Sequence, residues 1–262
     1  MARTKINNDG IEHVLNALQA NTSLLKLDVS DNSLRRRFTS HFAISNYIQT
    51  NATLQELSLS STNISDEMEE IINALNVNTT LQKLVISNNY CYRLGTIISD
   101  RLKSNCTLVE LDVSHCGIYA SEVKKIVERL QASTTVQKLN LSSHYSSNDG
   151  VSICDCFELN SSLKKLNLTN IKLDDNEAKL IGTHIIQFNT TLEQLNISHN
   201  QLSYEAVEIV TLLPIRKGAF LNPKGAVPNS KDAVPNPNGA VPNPKGAVPN
   251  PKGAVLNPKG VF

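Results

Sequence analysis

The chain has no tryptophan, and aromatic residues make up only 5% of it. That leaves few of the large rings that usually anchor tight protein interfaces. No apolar run approaches the roughly 20 residues of a membrane span. The first ten residues, "MARTKINNDG", lack the apolar stretch of a secretory signal peptide. A net charge of +1 gives no global attraction to nucleic acid or to a membrane surface. The five cysteines (Cys91, Cys106, Cys116, Cys154, Cys156) are odd in number and scattered, which is not a disulfide framework. Cys154-Asp-Cys156 is too short for the CxxC redox or zinc pattern. The expected compartment is the reducing cytoplasm. There is no Gly-rich phosphate loop, zinc-protease helix motif or nucleophile elbow. The reading is therefore no enzyme, no metal and no cofactor.

What the chain has is repetition. "NTTLQKLVISNN" (78–89) returns as "NTSLLKLDVSDN" (21–32), "NATLQELSLSST" (51–62), "NCTLVELDVSHC" (105–116), "STTVQKLNLSSH" (133–144), "NSSLKKLNLTNI" (160–171) and "NTTLEQLNISHN" (189–200). Anchors Leu24, Leu54, Leu81, Leu108, Val136, Leu163 and Leu192 are 30, 27, 27, 28, 27 and 29 residues apart. Each unit opens on L-x-x-L-x-L-x-x-N/C-x-L, as in Leu24, Leu27, Val29, Asn32 and Leu34. The x-L-x-L alternation predicts a short strand with one face buried. Helical spacing follows: Met68, Ile71, Ile72 and Leu75 share a face, as do Val123, Ile126, Val127 and Leu130. Asp174 with Glu177 three residues on reads as a capping box. Parallel strands joined by helical crossovers are the consequence.

This pattern resembles the leucine-rich repeat family over roughly residues 1–213, and its long period resembles the ribonuclease-inhibitor-like and NOD-like-receptor type. The resemblance implies an α/β fold. It is a curved leucine-rich-repeat solenoid with strands inside and helices outside, about seven full repeats and a partial N-terminal one. In that family the ninth position (Asn32, Thr62, Asn89, Cys116, His144, Ile171, Asn200) holds the turning backbone. Ile171 has no side-chain donor, so its turn is expected to be irregular. Cys116 and His144 fall at this position on adjacent rungs. They read as turn residues rather than as an activated thiolate pair.

Most units begin with the Asn-x-Ser/Thr acceptor of N-linked sugar. Asn21, Asn51, Asn78, Asn105, Asn160 and Asn189 lie after each helix and before each strand, where asparagine tolerates a left-handed helix end. Sequons at Asn140, Asn167 and Asn196 lie within strands, and glycans stacked at about 5 Å spacing could hardly fit. The sequons are read as by-products of the repeat; a glycosylated surface protein is the alternative.

Residues 1–216 form the expected solenoid. Residues 217–262 repeat a Pro/Asn/Gly/Lys heptad, hold nine of the ten prolines, and carry six Lys against one Asp. That is a local +5, leaving −4 for the rest of a chain whose total is +1. Pro and Gly at this density predict a disordered tether, and the spacing never makes the PxxP ligand pattern. "LRRRF" (34–38) reads as a solvated basic loop. The chain begins on a turn and helix with no strand before them, and ends without a polar closing unit. Self-association through such uncapped ends is expected.

Function then rests on the exposed strand face. Its third positions are Lys26, Glu56, Lys83, Glu110, Lys138, Lys165 and Gln194. The fifth positions include Asp28, Asp112, Asn140, Asn167 and Asn196. Lys–Glu–Lys–Glu on successive rungs would neutralise itself, leaving Lys138 and Lys165 unpaired and the C-terminal end mildly basic. The three asparagines suggest a hydrogen-bonded ladder or a reader of peptide backbone. Tyr90 and Tyr145 would sit at one rim. The expectation is a non-catalytic module binding a protein partner through this concave face, with no nucleic acid and no membrane. The family also implies two alternatives: a GTPase regulator resembling the activating proteins for Ran, whose C-terminal region is acidic where this one is basic, and a fragment of a NOD-like sensor.

Overall fold

The protein is described from a computed structural model, which covers residues 1–34, 40–65, 68–102, 105–130, 135–144, 160–181, 189–203 and 206. Seven three-residue strands lie in one parallel sheet in chain order: β1 (Lys26–Asp28), β2 (Glu56–Ser58), β3 (Lys83–Val85), β4 (Glu110–Asp112), β5 (Lys138–Asn140), β6 (Lys165–Asn167) and β7 (Gln194–Asn196). Register follows the motif without slippage, Leu27 facing Leu57, then Leu84, Leu111, Leu139, Leu166 and Leu195. These central leucines are buried, while their neighbours on either side are half-buried or exposed. Two further columns, Val29 to Ile197 and Leu54 to Leu163, complete the core. The anchors Leu24 and Leu192 of the first and last described rungs are only partly buried.

The helices among the described residues include α1 (Asn8–Leu18), which precedes β1, and the crossovers α2 (Ser40–Thr50), α3 (Met68–Asn73), α4 (Leu94–Leu102), α5 (Ala120–Leu130) and α6 (Asp175–Leu180). Both predicted helical faces are buried; α3 stops at Asn73, and a 3-10 turn over Ala74–Asn76 carries Leu75 into the core. The capping box at α6 is complete. Asp174 accepts from the Glu177 backbone N–H, and Glu177 accepts from that of Asp174. Burial raises the Glu177 pKa, against the hydrogen bond from Asp174.

Every strand exit turns through a left-handed residue: Asp31, Ser61, Asn88, His115, Ser143, Asn170 and His199, all with φ between 53° and 58°. Side chains fewer than one per rung hold these turns. Asn89 donates to the carbonyls of Leu59 (2.7 Å) and Ile86 (3.0 Å), while its Oδ1 accepts from Thr62 and Ile64. The Ile171 turn is not irregular. Asn170 is left-handed like its counterparts, and Asn200 of the next rung accepts from the N–H groups of Ile171 (3.0 Å) and Leu173 (3.1 Å). Residues 1–6 add the turn of a partial rung. Arg3 has φ 57°, donates its N–H to Ser30 and pairs with Asp31, and the Ile6 N–H binds Asn32.

The sequon asparagines work differently from the expectation: none of the six has positive φ. Each instead accepts, through Oδ1, from the backbone N–H groups two and three residues on, as Asn78 does from Thr80 and Leu81. Asn51, Asn78, Asn105 and Asn189 also donate to a carbonyl of the preceding rung. An Asx turn therefore starts the strand, and the same amide staples adjacent rungs. The segment after Ala206 with the expected tail, the Arg35–Phe38 cluster, Tyr145, Cys154 and Cys156 lie outside the described residues.

Candidate functional site

Because side chains alternate across a strand, the third and fifth positions of every unit share the face opposite the leucines. The sheet thereby brings Glu110, Asp112, Lys138, Asn140, Lys165, Asn167, Gln194 and Asn196 around one open concavity of about 390 Å³. Lys26, Asp28, Glu56 and Lys83 lie on the same face on β1–β3, outside that concavity.

The two ends of the face differ in how their charges are used. Lys26 pairs with Glu56 at 2.7 Å and Lys83 with Glu110 at 2.5 Å. Lys138 is not unpaired as expected: it reaches back to the second oxygen of Glu110 at 2.9 Å. A carboxylate has two oxygens, so one glutamate serves the lysines of both flanking rungs. Burial pushes the Glu110 carboxyl up, but the hydrogen bonds from Lys83 and Lys138 outweigh it and leave the pKa lowered. The hydrogen bond to Glu110 raises that of Lys83. Lys165, Gln194 and the side-chain amide donors of Asn167 and Asn196 have no hydrogen-bond or ion-pair partner among the described residues.

The asparagines do not bond one another into a ladder. Asn140 donates to Asp112 at 3.0 Å. The Oδ1 atoms of Asn140, Asn167 and Asn196 accept from the backbone N–H of Ser142, Thr169 and Ser198, at 3.2, 3.1 and 3.0 Å. Asp28 and Asp112 make the same turn with Ser30 and Ser114. At Asp28, burial works upward, yet the Ser30 hydroxyl and N–H lower the pKa. An Asx residue at the fifth position thus closes the strand end, where the next N–H has lost its ladder partner.

Neither Cys116 nor His144 is poised for chemistry. The Cys116 thiol donates to the Ile86 and Ser114 carbonyls, and burial pushes its pKa to about 12. Both nitrogens of buried His144 are without a hydrogen-bond partner among the described residues, and burial, with the nearby charge of His115, lowers its pKa to about 4. No hydrogen bond joins the two among the described residues. Among the described residues there is no cluster of three or more potential metal ligands, and no helix is long and apolar enough to cross a membrane.

One surface feature was only partly legible in the sequence, which marked Tyr90 at a rim but not Tyr92 or Tyr119. Tyr90, Tyr92 and Tyr119 are exposed at 64, 57 and 54%, at the strand-exit rim of adjacent rungs. Tyr92 and Tyr119 occupy the repeat position that holds Ser65, Asp174 and Ser203 elsewhere. Asp174 caps α6 by accepting the Glu177 N–H, and the Ser203 hydroxyl accepts the Ala206 N–H in the same way. Tyrosine does not cap, and the Glu122 carboxylate of α5 reaches over to accept the Thr96 N–H at the start of α4 (2.7 Å). Comparison of aligned repeat positions would have exposed the substitution.

Residues 50–67, 104–119 and 188–208 match the family model described as Leucine Rich repeat. Among solved structures the chain is similar to leiomodin-1 actin-binding site 2, at 21% identity over 52% of this chain and 76% of that one, with a TM-score of 0.43. It is also similar to the tropomodulin C-terminal domain of Caenorhabditis elegans, at 14% identity over 66% and 89%, with a TM-score of 0.42. No curated protein matches its sequence. The in-register parallel sheet with helical crossovers, and the matched repeat segments, make this chain a leucine-rich repeat solenoid.

Proposed function

We propose that the chain is a non-catalytic interaction module that binds a partner protein through the concave face of its sheet. The observation that carries this reading is the concavity over β4–β7, walled by polar side chains that are half-buried, with Lys138 and Lys165 exposed. The buried, raised-pKa Cys116 and the isolated His144 offer no competing catalytic centre. The period of 27 to 30 residues supports the ribonuclease-inhibitor-like type. We place the module in residues 1–216 and read 217–262 as its tether, on composition alone. A cytoplasmic setting is proposed on two grounds: the scattered cysteines, and sequon amides such as Asn78, which is buried and already hydrogen-bonded.

The test is affinity capture with three baits: the full chain, a strand-face variant with Lys138, Asn140, Lys165 and Asn167 all changed to Ala, and an outer-face variant with Lys124→Ala and Glu128→Ala. All three are first matched for melting temperature. Partners kept by the outer-face bait and lost by the strand-face bait are expected. A partner held equally by the strand-face bait contradicts the reading.

A further inference from the structure

The concavity is uneven in a way that selects the chemistry of its occupant, granted the proposed reading that a partner docks there. On its β4–β5 side the charges are consumed internally: Glu110 by Lys83 and Lys138, and Asp112 by the Ser114 hydroxyl and the Asn140 amide. On its β6–β7 side the asparagine acceptors are consumed but the donors are not. The Oδ1 atoms of Asn167 and Asn196 are held by Thr169 and Ser198. Their amide N–H groups, the Gln194 side chain and the Lys165 ammonium remain unpartnered among the described residues. Lys165 and Gln194 face each other across one strand pairing, and so do Asn167 and Asn196. This makes a compact square of four groups, of which Lys165 is the charged one.

We propose that the β6–β7 end of the concave face is a docking site for an acidic segment of a partner protein, whose carboxylate is taken by Lys165 and by the amide donors of Asn167 and Asn196. A carboxylate supplies acceptors alone, matching a wall whose open valences include an ammonium and two donor-only amides. Gln194, with both carbonyl and amide open, accommodates the peptide backbone beside it. A nucleic-acid strand fits less well. Its run of phosphates would need several cations along the face, and Lys83 and Lys138 are already held by Glu110, which leaves Lys165 alone. The chain's own residues 217–262, with six Lys and one Asp, are a poor occupant because they share the sign of Lys165.

The experiment uses the full chain and three labelled decapeptides, (Asp-Ser)5, (Asn-Ser)5 and (Lys-Ser)5, with a single-stranded oligothymidylate. Affinity is followed by anisotropy, and contacts by amide chemical shifts. Expected are saturable binding of the acidic peptide with shifts at Lys165, Asn167 and Asn196, and about tenfold weakening by Lys165→Glu. Weakening is also expected as salt rises and the Debye length shrinks. Preference for the neutral or basic peptide, with shifts on these same residues, overturns the acidic class and leaves the concave-face reading standing. Preference for the oligonucleotide overturns it in favour of a phosphate ligand. If the acidic peptide shifts only residues elsewhere, such as the Tyr92–Tyr119 rim, or binds Lys165→Glu as tightly as the parent chain, both the site and the reading fall.

Discussion

The sheet presents two regions built on one motif. Over β1–β5, lysine and glutamate alternate at the third position and are paired, Lys26 with Glu56 and Glu110 with both Lys83 and Lys138. Over β6–β7 the alternation ends in Lys165 and Gln194, and nothing in the described protein satisfies them. A repeat can spend its exposed side chains on its neighbours or leave them for another molecule. This chain does the first at one end of its face and the second at the other. Substitutions in the paired region should therefore register as stability, and those on β6–β7 as binding.

The largest effect lies in the core beneath the paired region. Leu111 of β4 is buried between the leucines of β3 and β5. Leu111→Ala should cost about 2–5 kcal/mol of unfolding free energy in urea. A loss below about 1 kcal/mol would mean that the rungs do not share a continuous core.

Next comes pH. His144 has its pKa lowered from 6.5 to about 4 by burial, and the unfolded chain takes up a proton near 6.5 where the folded chain does not. Stability should therefore be full above pH 6.5 and fall steadily as pH drops toward 4, by about 3 kcal/mol at most. His144→Asn restores the residue that Asn89 and Asn200 supply in other turns, and should remove most of that slope. A slope unchanged in the variant would assign it to other groups.

Gly95 in α4 sits against α5, where an added Cβ would lie 2.6 Å from the Glu122 carbonyl carbon. Gly95→Ala should lower stability by about 1–3 kcal/mol through overpacking. An unchanged melting temperature would show that the two helices can move apart freely. The smallest effect is expected at Glu110, which is partly exposed. Glu110→Gln should cost about 1 kcal/mol or less in calorimetry. Its lowered pKa means that its contribution is present above the ordinary carboxylate range and fades as pH falls through the folded value.

Much of this was legible in the sequence because the repeat imposes period and register together. Leu27 through Leu195, the helical faces of α3 and α5, and the Asp174–Glu177 box all follow from local spacing. What escaped was decided between rungs rather than within them. Lys138 seemed unpaired because pairing was counted two by two, whereas the Glu110 carboxylate has an oxygen for each neighbour. Asn140, Asn167 and Asn196 suggested a ladder, but their Oδ1 atoms are claimed by the strand-end N–H groups two residues on. Ile171 seemed to spoil its turn because the Asn200 side chain that serves it lies 29 residues away. The Glu122 bond across to α4 leaves no local mark in either segment.

The measurement closest to the central claim compares two charge reversals, Lys83→Glu and Lys165→Glu, each read by urea unfolding and by affinity for the (Asp-Ser)5 peptide. The account predicts that Lys83→Glu, facing Glu56 and Glu110, lowers stability by about 1 kcal/mol and keeps peptide affinity within about twofold. It predicts that Lys165→Glu leaves the unfolding midpoint in place and weakens the peptide about tenfold. Equal loss of affinity from both, or a loss of stability confined to Lys165→Glu, would contradict it.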